Sequence, residues 1–337
     1  MNMITQTASD ASNTAAMTQA WRTVRIVQRE METADIVSLT LADPAGTPLP
    51  DFTAGAHIDV EIQPGLVRQY SLLALPDDQG VYRIGVLKDP ASRGGSVALH
   101  ALPQGAQVRI SAPRNHFALA DGAHHTLLFA GGIGVTPLMC MAEELHRAGR
   151  DFTLHYCARS AASAAFIGTL RATPYADRVV LHFDDGDAAQ KLGLEALLKA
   201  TERSTHLYVC GPTGFMGWVI DTAIAAGWPD ARVHREYFKA EAPLRQAGDT
   251  AFDVRLARSG GVFSIPADRS IAAVLIEAGV DLPVSCESGV CGTCLCNVLE
   301  GTPDHRDYFL TQDEQALGNQ MLSCCSRAKT PLLVLDL

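Results

Sequence analysis

The chain has 337 residues, room for two or three domains, and its 47% hydrophobic and 19% charged content is ordinary for a globular protein. A net charge of −10 speaks against nucleic acid as a partner, and no run of eighteen apolar residues exists to span a membrane. Residues 1–20 are rich in Thr, Ser, Ala and Asn, with neither a basic start nor an apolar core; they read as a disordered tail rather than an export signal, and the expected compartment is the cytoplasm.

From Trp21 to about Asp121 the pattern is of short alternating strands: Val24 to Val27, Ile36 to Leu41, His57 to Ile62, Tyr70 to Ala74, Tyr82 to Leu87 and Gln107 to Ile110. Turns bearing Gly and Pro separate them, which predicts an antiparallel barrel over residues 21–121. Within it, Arg68-Gln69-Tyr70-Ser71 places a guanidinium suited to a phosphate and, two residues on, a ring that could cover a planar ligand. A surface Arg and a core Tyr would serve as well. Arg93-Gly94-Gly95-Ser96, ahead of a helix-like run, is a second candidate phosphate cradle.

After Asp121 the rhythm changes to alternating strands and helices, which predicts a parallel α/β domain over residues 122–239. Thr126 to Ala130 reads as a strand, Gly131-Gly132-Ile133-Gly134 as a turn, and Pro137 to Arg147 as a helix that Thr136 is placed to cap. A second glycine turn, Cys210-Gly211-Pro212-Thr213-Gly214, follows the strand Leu207 to Cys210 and opens the helix Met216 to Ala226. Both turns lie at carboxyl ends of strands, where open α/β sheets bind ligands, and together they point to a dinucleotide site. Either could also be a tight turn without a ligand.

Polar residues 240–251 read as a linker. The last segment, 252–337, carries short strands, a helix near Ile271 to Ala278, and eleven acidic against six basic residues. Such a module could be steered to a basic docking face, or the charge could serve solubility alone. Here Cys286, Cys291 and Cys294 stand as C-x4-C-x2-C, with Cys324 further on, the spacing of a plant-type [2Fe–2S] ferredoxin. Gly289 and Gly292 between them let a loop wrap tightly and aim N–H groups at sulfur. A structural zinc site is the competing reading, but no second C-x2-C or His pair follows. Disulfides are the other, and the cytoplasmic expectation argues against them. Cys296 falls in a strand-like run, and Cys140, Cys157 and Cys210 read by default as small buried residues.

The ordered set Arg-x-Tyr-Ser, Gly-Gly-Ile-Gly-x-Thr-Pro, Cys-Gly-Pro and the C-terminal cysteine loop resembles the phthalate dioxygenase reductase family, the reductase components of two-component aromatic-ring oxygenases and O-demethylases. The likeness runs from about Trp21 to Leu337 and takes in Pro113-Arg114-Asn115, Phe183-Asp184-Asp185-Gly186 and Asp304-His305-Arg306-Asp307, the last without assignable chemistry. It implies an FMN-binding barrel, an NADH-binding domain and a β-grasp ferredoxin domain, passing electrons from NADH through FMN and the [2Fe–2S] cluster to a Rieske-type oxygenase.

By motif, Arg68 would bind the FMN phosphate with Gly95 and Ser96, Tyr70 would pack on the flavin, and Ser71 would hydrogen-bond near its N5. Gly85, Val86, Leu87 and Lys88 would border the ring, Thr136 would reach it from the domain seam, and Phe238 would shield it until nicotinamide slides in. Gly131, Gly132, Gly134, Gly211 and Pro212 would cradle the dinucleotide, Asp185 would accept its ribose hydroxyls, and Cys210 would lie beside nicotinamide. Cys286, Cys291, Cys294 and Cys324 would ligate iron; family members usually have valine where this chain has Cys325. An FAD-dependent reductase of similar architecture is the alternative within the class, and a zinc-bound interaction module the alternative outside it.

Overall fold

The computed structural model describes residues 21–73, 80–90, 92, 94–202, 204–238 and 246–337. The expected tail, Ala74, Arg93 and the first half of the expected linker fall outside them. Alternating apolar residues drive the first third into β1 (Arg22–Met31), β2 (Ile36–Ala42), β3 (Ala56–Gln63), β4 (Leu66–Leu73) and β5 (Tyr82–Leu87). A helix, α1 (Gly95–Ala101), precedes β6 (Gln107–Ile110) and the two-residue β7 (Arg114–Asn115). The strands run in the order β4-β5-β2-β1-β6-β3-β7, and β3 also pairs with β4, closing an antiparallel barrel of six strands. Closure leaves no free edge to template aggregation. Val24, Ile26, Leu39, Leu41, Ile58 and Ile84 fill it, all 0% exposed.

The middle third alternates as expected: β8 (His125–Gly131), α2 (Val135–Arg147), β9 (Asp151–Ala158), α3 (Ile167–Ala172), β10 (Val179–Phe183), α4 (Leu194–Ala200), β11 (His206–Cys210), α5 (Thr213–Ala225) and β12 (Val233–Glu236). All five strands are parallel, in the order β10-β9-β8-β11-β12. Strand order reverses between β8 and β11, so the crevice at their carboxyl ends is the switch point of the sheet. The expectation that Thr136 caps α2 does not hold. A 3-10 turn over Gly132–Gly134 runs straight into the helix, Gly134 holds the cap position without a side-chain bond, and the Thr136 hydroxyl donates to the Ile133 carbonyl at 3.1 Å. The chain is already helical at Thr136.

The last third comprises β13 (Phe252–Leu256), β14 (Val262–Ile265), α6 (Ile271–Glu277), β15 (Leu295–Glu300), β16 (Pro303–Asp304), α7 (Gln312–Leu317), β17 (Gln320–Leu322), β18 (Arg327–Ala328) and β19 (Leu332–Leu335). Its main sheet, β14-β13-β19-β15-β17, has one parallel pairing, β13 with β19, and buries Ile271, Ala272 and Leu275 of α6. Ser270 caps α6 by accepting from the Ala273 N–H, and Thr311 with Glu314 forms a capping box on α7. Among the described residues no helix is long and apolar enough to cross a membrane.

Among the described residues four hydrophobic clusters organise these elements, one of them shared between the first two thirds. Ile36, Leu73 and Phe117 of the barrel segment pack into one cluster with Leu128, Leu138, Tyr156 and Phe166 of the parallel domain. The last third keeps its own core. At the switch point the two glycine turns touch. A Cβ on Gly134 would stand 2.3 Å from the Cys210 carbonyl oxygen, whereas one on Gly132 would meet nothing within 4 Å. Gly134→Ala is therefore expected to destabilise by about 1–3 kcal/mol through backbone displacement. Gly132→Ala, with only its left-handed φ of 53° to strain, should cost about 1–2 kcal/mol. Urea unfolding of both variants checks this; an unchanged midpoint for Gly134→Ala would mean that the turns do not touch.

Candidate functional site

Strand β4 brings Arg68, Tyr70 and Ser71 to the seam between barrel and parallel sheet. Tyr70 packs on the barrel core, and burial pushes its phenol up, away from ionisation. The Gly95 position lies so close to the Arg68 side chain that a Cβ would stand 2.6 Å from its Cγ. That approach gathers Arg68, Gly95 and Ser96 into one cradle, with the Ser96 hydroxyl accepting from the Asp89 N–H at 3.2 Å. Along β5 the expected ring border is uneven. Val86 is 0% exposed inside the barrel and offers only backbone, its carbonyl already bonded to His100 Nε2 at 2.8 Å. Leu87 and Lys88 are exposed. Gly85 faces Thr136, since a Cβ there would meet Thr136 Cγ2 at 2.8 Å, so this glycine lets α2 approach the barrel.

Across the seam the Ser71 hydroxyl donates to Glu236 Oε2 at 3.2 Å. Glu236 ends β12 and is paired in register with Cys210, which ends β11. Burial pushes the Glu236 carboxyl up to about 8, with the Ser71 bond pulling the other way. By area the residue as a whole is only half-buried; the shift follows the crowding of protein around its carboxyl. Cys210 is raised well above the usual thiol range by burial first and by Glu236 second. A neutral acid, a neutral thiol and a hydroxyl thus share one point. The sequence passed over Glu236, whose partner stands 165 residues away; its place in the strand before Phe238 was the available signal.

The dinucleotide-cradle residues gather at the switch point. A Cβ on Gly131 would meet the Phe215 ring at 2.6 Å and Pro212 Cδ at 3.0 Å, while one on Gly211 would stand 2.9 Å from Gly131 Cα. Both glycines therefore have a packing reason beside any ligand role, and Gly132 remains open. Beyond β9 and β10 a cavity of about 350 Å³ is lined by Cys157, His182, Asp184, Phe215 and Trp218. The neighbouring Asp185 is exposed and does not line the cavity, its N–H bonded to the Arg159 carbonyl at 3.1 Å, while Asp184 supplies the lining. Phe238 is 39% exposed, close to the seam but uncovered by it.

In the last third Cys286, Cys291, Cys294 and Cys324 come together. The Cys286 thiol is hydrogen-bonded with those of Cys291 and Cys324, which pulls its pKa down, and Cys324 is also hydrogen-bonded with Cys294. Gly289 and Gly292 take left-handed φ values of 74° and 71°, the conformation this wrap demands, and the Ser288 N–H points at Cys286 Sγ from 3.4 Å. Among the described residues no three ligating groups converge as on a single ion; a [2Fe–2S] cluster asks each iron for only two. Cys296 faces the core, its thiol pushed up to about 12 by burial, and Cys325 turns toward the Leu322 carbonyl at 3.9 Å.

Comparison with known proteins agrees with this geometry. Residues 254–329 match the 2Fe-2S iron-sulfur cluster binding domain, and residues 108–233 match the N-terminal domain of the dimethylamine monooxygenase subunit DmmA-like family. The chain is 55% identical over 304 residues to the vanillate O-demethylase oxidoreductase of Pseudomonas sp. (strain HR199 / DSM 7063), covering 90% of this chain and 96% of that one. The solved phthalate dioxygenase reductase, described as a modular structure for electron transfer from pyridine nucleotides to [2Fe–2S], is 40% identical with a TM-score of 0.70, over 94% of this chain and 98% of that chain. The chain belongs to the phthalate dioxygenase reductase family. It is an oxidoreductase of the oxygenase-reductase type. The same three-part architecture also matches an intact type IV self-sufficient cytochrome P450 monooxygenase, with a TM-score of 0.83 at 38% identity, over 94% of this chain and 41% of that chain.

The sequence also left two neighbouring histidines of this family member unassigned, His57 buried and His116 exposed. His57 pairs in register with Ser71, and its Nε2 has no hydrogen-bond partner among the described residues. Burial, then Arg114, lowers its pKa to about 4, and lowers that of the adjacent His116 as well. Glu236 gives the site a pH signature. Its folded pKa, about 8, lies above the ordinary 4.5, so its contribution to stability is full below 4.5 and is lost as pH rises through 8. Glu236→Gln should flatten the fall in thermal midpoint between pH 6 and pH 9 relative to the parent protein. Parallel curves for the two proteins would show that this carboxyl does not titrate there.

Proposed function

We propose that the barrel holds FMN, that the switch-point crevice holds NADH, and that the four-thiol loop holds a [2Fe–2S] cluster which delivers single electrons to a Rieske-type oxygenase component. The observation that carries this reading is the bond from Ser71 to Glu236. It joins the barrel strand expected to meet flavin to the strand ends expected to meet nicotinamide. The residues present fit the three groups: the Arg68–Gly95 cradle suits a phosphate, His57 Nε2 is an unsatisfied buried group beside Ser71, and four thiols converge under two left-handed glycines. When bound, these groups supply hydride acceptance and the conversion of an electron pair into single electrons.

The chain's own residues place and insulate. Arg68 would anchor the phosphate end and Tyr70 the ring, while Ser71 would offer its hydroxyl at N5. Neutral Glu236 holds the Ser71 hydroxyl and, with neutral Cys210, keeps net charge away from a site where positive charge develops on nicotinamide. Asp185, exposed beside the cavity-lining Asp184, would accept ribose hydroxyls and repel a 2′-phosphate, which supports NADH over NADPH. Phe238, only partly covered, is free to shield the flavin and swing away. The nine cysteines stand as free thiols, which suits the cytoplasm. Two relatives, 55% and 54% identical, are vanillate O-demethylase oxidoreductases, and this supports the oxygenase component of a vanillate O-demethylase as the partner.

Cofactor analysis tests the reading first: one FMN, two irons and two acid-labile sulfides per chain are expected. FAD in the extract, or one zinc without sulfide, would overturn it. Cys291→Ser should abolish cytochrome c reduction while leaving NADH-driven reduction of a two-electron dye within about twofold of the parent, because the dye draws on the flavin. Equal loss of both activities would contradict the order of the relay. Cys325→Ser should keep the cluster's visible spectrum and Cys324→Ser should lose it; the reverse result would exchange their roles.

A further inference from the structure

The segment Asp304-His305-Arg306-Asp307, to which the sequence attached no chemistry, is a strap across the thiol loop. Arg306 donates to Asp249 Oδ2 at 2.9 Å and Oδ1 at 2.5 Å, and to Asp304 at 2.9 and 2.7 Å. Its backbone N–H reaches the Ser326 hydroxyl, two residues past Cys324, and that hydroxyl donates to Asp307. Asp307 Oδ2 in turn accepts from the Leu310 N–H at 2.8 Å. Held from both sides, the two residues between, Tyr308 and Phe309, have fixed positions.

Those two rings face outward from the loop to both other modules. The Tyr308 N–H bonds to the Gly289 carbonyl at 2.9 Å, inside the cysteine loop, while its ring meets Tyr237 of the parallel domain at 4.8 Å. Phe309 backs Gly292 so closely that a Cβ there would stand 2.4 Å from its ring. Its other edge meets His116 of the barrel at 5.0 Å, in a T-shaped contact. His116 then touches His57 at 5.6 Å, and His57 is the strand neighbour of Ser71. Ring contacts therefore run from β3, the strand paired with the one expected to meet flavin, to the glycine between two cluster ligands.

We propose that Phe309, seated on His116 and supported by Tyr308 on Tyr237, is the positioning element that sets the gap between flavin and cluster. The inference rests on the reading that FMN occupies the barrel and the cluster the thiol loop. Each transfer across the gap moves one electron from reduced flavin to the cluster, taking its iron pair from two ferric ions to one ferric and one ferrous. Two transfers return the flavin to its oxidised form with loss of the N5 proton, and the oxygenase acceptor removes both electrons in turn. Electron tunnelling falls steeply with separation, so a seam loosened by a fraction of its ring contact slows this step alone. The rings act by holding the modules together; they carry no charge and exchange no proton.

The test is anaerobic stopped-flow mixing of the holoprotein with NADH, following flavin bleaching and then cluster bleaching. His116→Ala lies on the barrel side and leaves the cysteine loop intact, so iron content and the cluster's EPR spectrum should match the parent. Flavin bleaching should also be unchanged, whereas cluster bleaching should slow by about tenfold or more. Amide exchange in residues 288–292 should rise in the same variant. His116→Phe, which restores an aromatic edge, should recover most of the rate. An unchanged second phase in both His116→Ala and Phe309→Leu would overturn the proposal, as would a His116→Phe variant no faster than His116→Ala. Failure of the underlying reading is separable, because it would appear in the parent protein as missing FMN or missing iron.

Discussion

The apolar core shared by the barrel and the parallel sheet is the constraint on which the rest depends. Ile36, Leu73 and Phe117 could have been buried within a self-contained barrel; instead they pack with Leu128, Tyr156 and Phe166. A continuous core does not slide, because close-packed interiors resist displacement. It therefore fixes where the carboxyl ends of β11 and β12 meet β4. The Ser71–Glu236 bond, the pairing of Cys210 with Glu236, and the approach of Thr136 to Gly85 all follow from that docking.

What the docking creates is a pocket wall without net charge. A carboxyl with its pKa near 8, a thiol held protonated and the His57 imidazole held neutral are costly to bury singly. Together they leave a low-dielectric site in which a charge appearing on a bound ligand meets no fixed countercharge. Such a site supplies no charged acid–base pair, which hydride and electron transfer do not require.

Much of this was legible in the sequence because it is local. The alternation from Val24 to Ile110, the glycine turn after β8 and the spacing of Cys286, Cys291 and Cys294 each report on a handful of adjacent residues. The three-part architecture followed from them. Glu236 escaped notice because its meaning comes from Ser71, far away in the chain, and no periodicity encodes such a contact. His57 and His116 escaped for the same reason. Thr136 misled because a capping residue and a first-turn residue look alike until the tightness of the preceding turn is known. The doubled Cys324-Cys325 was a different difficulty. Both residues lie in the turn after β17, so only three-dimensional placement separates the sulfur that joins Cys286 and Cys294 from the one that packs against Gly289 and the Leu322 carbonyl.

The ion pair between Arg306 and Asp249 has a consequence beyond stability. Asp249 stands near the end of the connection between the second and third modules, and pinning it to the third module leaves ten residues, 239–248, between that anchor and Phe238. A short tether raises the effective concentration of one module at the other's surface. The meeting of donor and cluster thus becomes a first-order event that dilution cannot slow, in contrast to the second-order encounter by which electrons leave the chain for a separate acceptor.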